Sequence, residues 1–434
     1  MIQRKKNKNH STGKEKKSFF NKASRRIKKV KEAMFVDLDK PEASTFSVVE
    51  VVVIILISIL FGIAIGYMIT YSKDPMHGTS GGSGLREVVN TYREITDSYF
   101  GEVNEDELSN AAIKGMIESL EDPYSSYMNE ETTADFNETV DGTFVGIGVM
   151  IQFDGSTNQV VDVYDNSPAE KAGVKVNDKI IRVDDQDVQG VGGDDLSVLI
   201  RGKKGTKVVV TVLRDDKEIP LTLIRDVIEL PSVYDSLIEE NNKKIGYLQV
   251  TSFSNNTYKQ FEMKLKKLEK DNIQSLIIDV RDNPGGQLLQ TKDILSLFFP
   301  KDTVLYQIES KNSKIKVRST TKESRSYPIA VLINSNSASA SEILASCFQE
   351  RYKKAIIVGS TSYGKGTVQK SQNLSSGTSI KFTTQKWLTS KGKWLEKNGI
   401  VPDFVVNQSE EYYQETCMEN DAQLQEAITQ IKES

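Results

Sequence analysis

Apolar and polar positions follow different periods in successive parts of the 434-residue chain. Between Val51 and Ile69 run 19 residues without a charge, VVVIILISILFGIAIGYMI. At about 1.5 Å of rise per residue such a helix spans a hydrocarbon core of about 30 Å, and unlike a buried core helix it has no polar face. A transmembrane helix is expected over 47–71. From 85 to 140 the pattern is helical, with Leu108, Ala111, Ala112, Gly115, Met116, Ile117 and Leu120 forming an apolar stripe that stops at Asp122-Pro123. It predicts a small helical module whose apolar side serves as core or as a dimer surface. Next, TFVGIGVMI, QVVDVY, KIIRVD and KVVVTVLR alternate with Gly, Asn and Asp turns, with short helices around Ala169 and Leu196. These predict one small β-rich domain over 141–228. From Lys244 apolar strands alternate with helices: IGYLQV, a helix near 257–271, SLIIDVR, a helix from about 287, TVLYQI, IAVLIN, a helix from about 339, AIIVG, then SIKFTTQKWL. That alternation predicts an α/β domain over 229–408 with a partly parallel sheet, its functional groups at the carboxyl ends of strands. Within 409–434, Asp421 to Lys432 reads as a surface helix. The expected fold class is mixed α/β.

Composition, 38% hydrophobic and 27% charged, excludes global disorder and a polytopic membrane protein. Charge refines the topology. Residues 1–42 hold 14 Lys/Arg against 5 Asp/Glu, a net +9, which leaves −13 on the rest of a chain whose total is −4. Lys and Arg stay on the cytoplasmic side, so 1–46 is expected to be a basic cytoplasmic tail and everything beyond the helix extracytoplasmic, at the cell membrane. The basic stretch is longer than a signal-peptide n-region and no A-x-A site follows the apolar run, which favours an uncleaved anchor. Attraction to anionic lipid already accounts for the basic tail, so no nucleic-acid partner is expected. Residues 72–84, SKDPMHGTSGGSG, read as a flexible tether. Cys347 and Cys417 are too few for a disulfide framework, and the sequence leaves their pairing open.

Within the β-rich domain, Ser167 to Val183 (SPAEKAGVKVNDKIIRV) starts a short helix at Pro168, ends it at Gly173 and leads through Asp178 into a strand. This run resembles a PDZ domain. By that resemblance Gly146, Ile147 and Gly148 stand where backbone N–H groups would hold a peptide's terminal carboxylate while the peptide adds to a sheet edge. Taken alone, a G-x-G in a strand is more often a bulge.

Three loops follow strands in the last domain: Asp279 to Gly286 (DVRDNPGG), Asn334 to Glu342 (NSNSASASE) and Gly359 to Gln369 (GSTSYGKGTVQ). They offer hydroxyls, an amine, an amide and backbone N–H groups, but no histidine. The only histidines, His10 and His77, lie in the tail and the tether, so a Ser-His-Asp triad and a catalytic zinc site are excluded and no cofactor or metal is expected. A neutral lysine can serve as the base instead, and Lys365 is the candidate. Bringing a lysine from about 10.4 to near 7 takes roughly 3 pH units, about 4 kcal/mol, which burial supplies. Flanking Gly364 and Gly366 let the backbone pass closely, and Gln369 is placed to orient the amine. Bland readings stand beside these: Ser337 or Ser339 as a helix N-cap, and Gly-Lys-Gly as a solvated turn. Gly359 to Lys365 also approaches a phosphate-binding loop, but Gly366 replaces the hydroxyl that holds magnesium and no helix is expected after it.

Together these residues resemble the carboxy-terminal processing (tail-specific) proteases over roughly Leu85 to Val406. The resemblance implies that the middle serine of SASASE, Ser339, is the nucleophile, with Lys365 as base and Gln369 as its partner. It further implies an oxyanion hole from the N–H groups of Ala340 and Gly286, and a sensor role for Arg201, in LIRGKKGT, that reports peptide occupancy of the PDZ domain. The stretch between Ser339 and Lys365, around QERYKK, is a residue longer than the commonest family spacing, which a surface loop absorbs. The expected partners are protein or peptide substrates with apolar carboxyl-terminal tails, the membrane and a second copy of the chain. The rival is a PDZ scaffold without activity, whose signature, a missing catalytic group, is not found.

Overall fold

The computed structural model describes residues 48–73, 83–322, 324–414 and 417–433, so the basic tail and most of the tether lie outside the described residues. The chain divides between Glu102 and Val103 into two compact units. The first holds α1 (Val48–Lys73) and α2 (Ser83–Ser98). The uncharged run lies inside α1, one continuous helix of 26 residues, and its described apolar side chains, such as Ile54, Leu56 and Phe61, are exposed. Among the fully described residues no helix is long and apolar enough to cross a membrane.

The second unit opens with α3 (Glu105–Glu118), β1 (Ser126–Met128) and α4 (Glu130–Asp141). Asn104 and Asn129 start the two helices by accepting first-turn N–H groups on their side chains. No residue of α3 is buried, so the stripe from Leu108 to Leu120 does not build a core. Between the helices the chain extends into β1, which a helical reading of 85–140 did not anticipate.

The β-rich domain comprises β2 (Thr143–Gly146), β3 (Val149–Phe153), β4 (Asn158–Val163), α5 (Pro168–Ala172), β5 (Lys179–Val183), β6 (Gln186–Asp187), α6 (Gly193–Ile200), β7 (Lys207–Arg214), β8 (Lys217–Ile224) and β9 (Asp226–Glu229). Its main sheet has the order β3-β4-β5-β7-β8, with β6 beside β5, while β2 pairs with β9. Ser167 caps α5, Pro168 occupies its first turn and Gly173 ends it in the left-handed region. The run TFVGIGVMI is two strands rather than one, because the chain turns at Ile147-Gly148 with Gly148 at φ 82°. β8 carries Pro220 and was invisible to alternation; the sheet tolerates it because β8 is an edge. Val160, Ile180, Leu196, Val208, Val210 and Val212 form the core.

The last domain contains β10 (Val233–Glu240), β11 (Lys243–Val250), α7 (Thr257–Lys270), β12 (Ser275–Asp279), α8 (Leu288–Ser296), β13 (Val304–Ser310), β14 (Lys314–Arg318), β15 (Ile329–Ile333), α9 (Ala340–Arg351), β16 (Ala355–Gly359), β17 (Thr367–Asn373), β18 (Ser379–Leu388), β19 (Phe404–Val405), α10 (Glu410–Gln414) and α11 (Ala422–Glu433). Its central sheet runs β10-β11-β12-β15-β16-β19; the β10–β11 pair is antiparallel and the rest parallel. SLIID and IAVLI are buried along their whole length, as strands covered on both faces must be. Alternate residues serve opposite faces. Leu276, Ile278, Val331 and Ile333 pack with Phe261, Leu265 and Phe348 from α7 and α9 and with Phe298 just beyond α8. Ile277, Ala330, Leu332 and Val358 meet Leu424, Ala427, Ile428 and Ile431 of α11. The C-terminal helix is therefore not a surface helix: it covers the second face of the sheet. A separate sheet, β1-β18-β13-β14 with β17 beside β18, joins the strand after α3 to the strands after the third loop. Cys347, buried in α9, and Cys417 are both free thiols.

Candidate active site

The parallel strands β12, β15 and β16 end side by side, so the loops that follow them meet at one edge of the sheet. Asn283 stitches the first loop to the second. Its side chain accepts the Gly285 N–H (2.8 Å) and donates to the Val250 carbonyl (2.7 Å), while its own carbonyl accepts from Ser341 Oγ (2.9 Å) and from the Ala338 N–H (3.1 Å). The Ser337 hydroxyl donates to the Val280 carbonyl (2.7 Å), and the Ser337 carbonyl accepts from the Tyr363 N–H of the third loop (3.0 Å).

Ser339 stands at the N-cap of α9 with φ 54° and ψ −110°, a conformation that costs a non-glycine residue on the order of 1–3 kcal/mol and that packing must hold. The bland N-cap position and the nucleophile position are thus the same. Against it lies the Gly285-Gly286 turn, at φ 102° and 143°. A Cβ on Gly285 would come within 2.9 Å of Ser339 Cβ and of Ala340 N, and one on Gly286 would enter the Phe253 carbonyl. Only glycines let this backbone approach the serine. The N–H groups of Gly286 and Ala340 donate no hydrogen bond among the described residues, whereas their neighbours Gly285, Gln287 and Ser341 do. Two free donors beside Ser339, one at a helix N-terminus, suit an oxygen that gains negative charge.

Lys365 follows in the third loop. Its amine is mostly buried and its pKa lies below the ordinary lysine value, chiefly through desolvation and then through the charge of Lys381; Asp122, Glu396 and Glu342 oppose the shift. The direction is the one a general base needs. The ammonium does not touch Ser339, however: it sits 4.6 Å from the centre of the Tyr124 ring, a cation–π contact. Tyr124 arrives from the turn before β1, and burial followed by a hydrogen bond with Tyr363 raises its hydroxyl pKa to about 12. A cavity of about 620 Å³ opens beside it, lined among others by Asp122, Tyr363, Thr367 and Glu396. Gln369 does not reach Lys365 either; its amide donates to Thr367 and Thr383 Oγ1, both at 3.0 Å. The structure thus brings together Ser339, Ala340, Gly286 and the backbone of Lys365, but neither the lysine amine nor the glutamine amide. After Lys365 the chain enters β17 and not a helix, which removes the helix N-terminus a phosphate-binding loop requires.

One group here was not singled out from the sequence. Glu342, fully buried, accepts the Ser339 N–H (2.7 Å) and the Lys365 N–H (3.0 Å) on Oε2, and Ser362 Oγ (2.6 Å) and the Gly364 N–H (2.7 Å) on Oε1. Its place in SASASE, three residues after a candidate N-cap, was the available signal, since that spacing sets a carboxylate against the cap's N–H.

At the β-rich domain, Gly146 ends β2, Ile147 is buried and Gly148 precedes β3, the edge strand of its sheet. The Ile147 and Gly148 carbonyls accept from Ala169 and Tyr164, while the N–H groups of Ile147 and Gly148 donate to nothing among the described residues. Arg201 closes α6, pairs with Glu138 of α4 (2.9 Å) and lies over the Phe144 ring.

Comparison with known proteins agrees with this architecture. Residues 244–406 match the model of peptidase family S41, 145–224 that of a PDZ domain, and 67–132 that of the N-terminal domain of the activating protease CtpB. The chain is 38% identical to the carboxy-terminal processing protease CtpA of Bacillus subtilis over 75% of this chain and 69% of that one. With CtpB of the same organism it shares 37% identity over 75% and 68%. The solved photosystem II D1 C-terminal processing protease, 23% identical, aligns with 75% of this chain and 94% of its own at a TM-score of 0.44, too loose a likeness to carry further argument. Taken with the PDZ domain and the α/β domain behind it, these matches mean that the chain belongs to the carboxy-terminal processing proteases of peptidase family S41 and is a serine endopeptidase.

Proposed function

We propose that this protease is a membrane-anchored, extracytoplasmic enzyme that reads the carboxyl-terminal tails of its substrates with the PDZ domain and cleaves them with Ser339 and Lys365. The observation that carries the reading is the pair of unengaged N–H groups, Gly286 and Ala340, beside a strained serine at a helix start. In the working state the Lys365 amine leaves the Tyr124 ring and accepts the Ser339 proton as Oγ attacks the scissile carbonyl. The two N–H groups hold the oxyanion, and Lys365 returns the proton to the departing amine as the C–N bond breaks. Water then enters by the same route and releases the acyl group. Gln369 orients the amine once Lys365 has moved. The edge of β3 pairs with the substrate tail while the N–H groups of Ile147 and Gly148 hold its carboxylate, and Arg201 signals occupancy through its contacts with Glu138 and Phe144. The reading of an anchor rests on the sequence, the 19 uncharged residues from Val51 to Ile69, with the basic tail inside the cell. The exposed stripe on α3 pairs two copies.

Full-length Ser339→Ala and Lys365→Ala variants, purified in detergent, are expected to lose peptide cleavage by at least about 10³-fold while melting like the wild type. Cleavage surviving in Lys365→Ala would assign the base to another group.

A further inference from the structure

Glu342 is a fully buried carboxylate that forms no ion pair among the described residues. A first-turn glutamate normally satisfies its own helix. Here only the Ser339 N–H comes from the helix start; the other donors, Ser362 Oγ and the N–H groups of Gly364 and Lys365, belong to the lysine loop. One side chain therefore spans from the nucleophile's backbone to that of the base. Ser362 extends the bracing, because its hydroxyl also accepts the Ile400 N–H at 2.7 Å. Every partner is a donor, which explains why the residue is a carboxylate. A glutamine has one carbonyl oxygen, and its NH2 would face donors at either the Ser339–Lys365 pair or the Ser362–Gly364 pair.

We propose that Glu342 is a positioning residue of the cleavage reaction: its carboxylate, accepting from four donors, locks Ser339 and the Lys365 loop into one register and sets an acidic group beside the proton acceptor. The proposal rests on the assignment of Ser339 and Lys365 as the reacting pair. The groups that face the lysine are Lys381 of β18, Asp122 and the Tyr124 ring from the turn before β1, Glu396 from the loop before β19, and Glu342 itself. Of these, Glu342 alone also holds the nucleophile.

The test compares Glu342→Gln and Glu342→Asp with the wild type in the full-length chain, by kcat, KM and the pH dependence of kcat/KM on one peptide, with thermal melting as the check of folding. Glu342→Gln is expected to lower kcat about 100-fold, the loss a displacement of about 1 Å brings, at nearly constant KM. It should also move the acid limb of the profile to lower pH, since removing a negative charge makes the lysine easier to deprotonate. Glu342→Asp keeps the charge but withdraws it from the loops, so its kcat falls while the acid limb stays in place. Wild-type kcat in either folded variant, or an unmoved acid limb in Glu342→Gln, would overturn the proposal. So would unfolding of both variants, which would make the carboxylate a stability element alone. Lys365→Ala in the same assay separates the two readings: if it remains active, the dyad fails whatever Glu342 does.

Discussion

Single residues at this site do two jobs at once. Ser339 caps a helix and points from a strained backbone, and Gly286 makes a turn while offering a free N–H. Gly286→Ala would force a side chain into the Phe253 carbonyl at a φ of 143°, displacing the donor. The expected result is a fall in kcat of about 10²–10³-fold, the value of one oxyanion donor, with peptide binding by the PDZ domain unchanged. Fluorescence titration of a tail peptide beside kcat checks this, and an equally active variant would remove Gly286 from the hole. At this scale the sequence was informative where chemistry is scarce: with no histidine outside the tail and tether, a serine and a lysine in two strand-end loops stood out. Its signal for Glu342, the N-cap spacing, was weak, because acidic residues in a first turn are common and only the fold brings the third loop to this one. Nor did it reveal Tyr124, whose contact with Lys365 bridges distant parts of the chain.

Strands buried on both faces announced themselves, and several with a wet face did not. SLIID, IAVLI and AIIVG read plainly as strands, whereas β10, β14 and β17 carry charges or polar runs and were missed. The stripe of α11 looked like that of any surface helix, since its partner residues on the sheet lie far away in sequence. An ionic cluster at the start of α11 adds to that packing: the buried Arg281 donates to Asp279 (3.0 Å) and twice to Asp421 (2.9 and 2.7 Å). Burial works against the Asp421 carboxylate, but the Arg281 hydrogen bonds and charge prevail and hold its pKa below the usual value of 3.8. A carboxyl depressed by folding stabilises the folded state above its unfolded pKa and loses that contribution as the pH falls through its folded value. The wild type should therefore weaken below about pH 4. Asp421→Asn leaves Arg281 buried with one charge partner fewer and is expected to cost about 3–5 kcal/mol at pH 7, with less further loss on acidification. Urea unfolding at pH 7 and at pH 3.5 measures both; equal stability at pH 7 would show that the pair contributes nothing.

For the whole molecule, the proposed recognition and cleavage sit in different domains, and the reading that joins them predicts a dependence on the substrate's far end. If the N–H groups of Ile147 and Gly148 hold a terminal carboxylate, amidating that terminus removes charge-assisted hydrogen bonds of about 1.5–3 kcal/mol and lowers kcat/KM about 10- to 100-fold. Paired assays of free and amidated forms of one protein substrate decide it; equal rates would leave the PDZ domain without a role in tail selection. Domain order was readable because each domain has its own hydrophobic period, but the arrangement that sets Arg201 against Glu138 was not, being a contact between side chains with no pattern of their own. The parallel pairing of β12, β15 and β16 has one more consequence. Strands joined only by long crossovers cannot align until most of the domain has been synthesised, so contacts of this kind form late. Lys365 follows Ser339 in the chain, so a molecule synthesised only as far as α9 holds the serine and Gly286 without the lysine loop, and on the proposed dyad it cannot cleave until the later strands are in place.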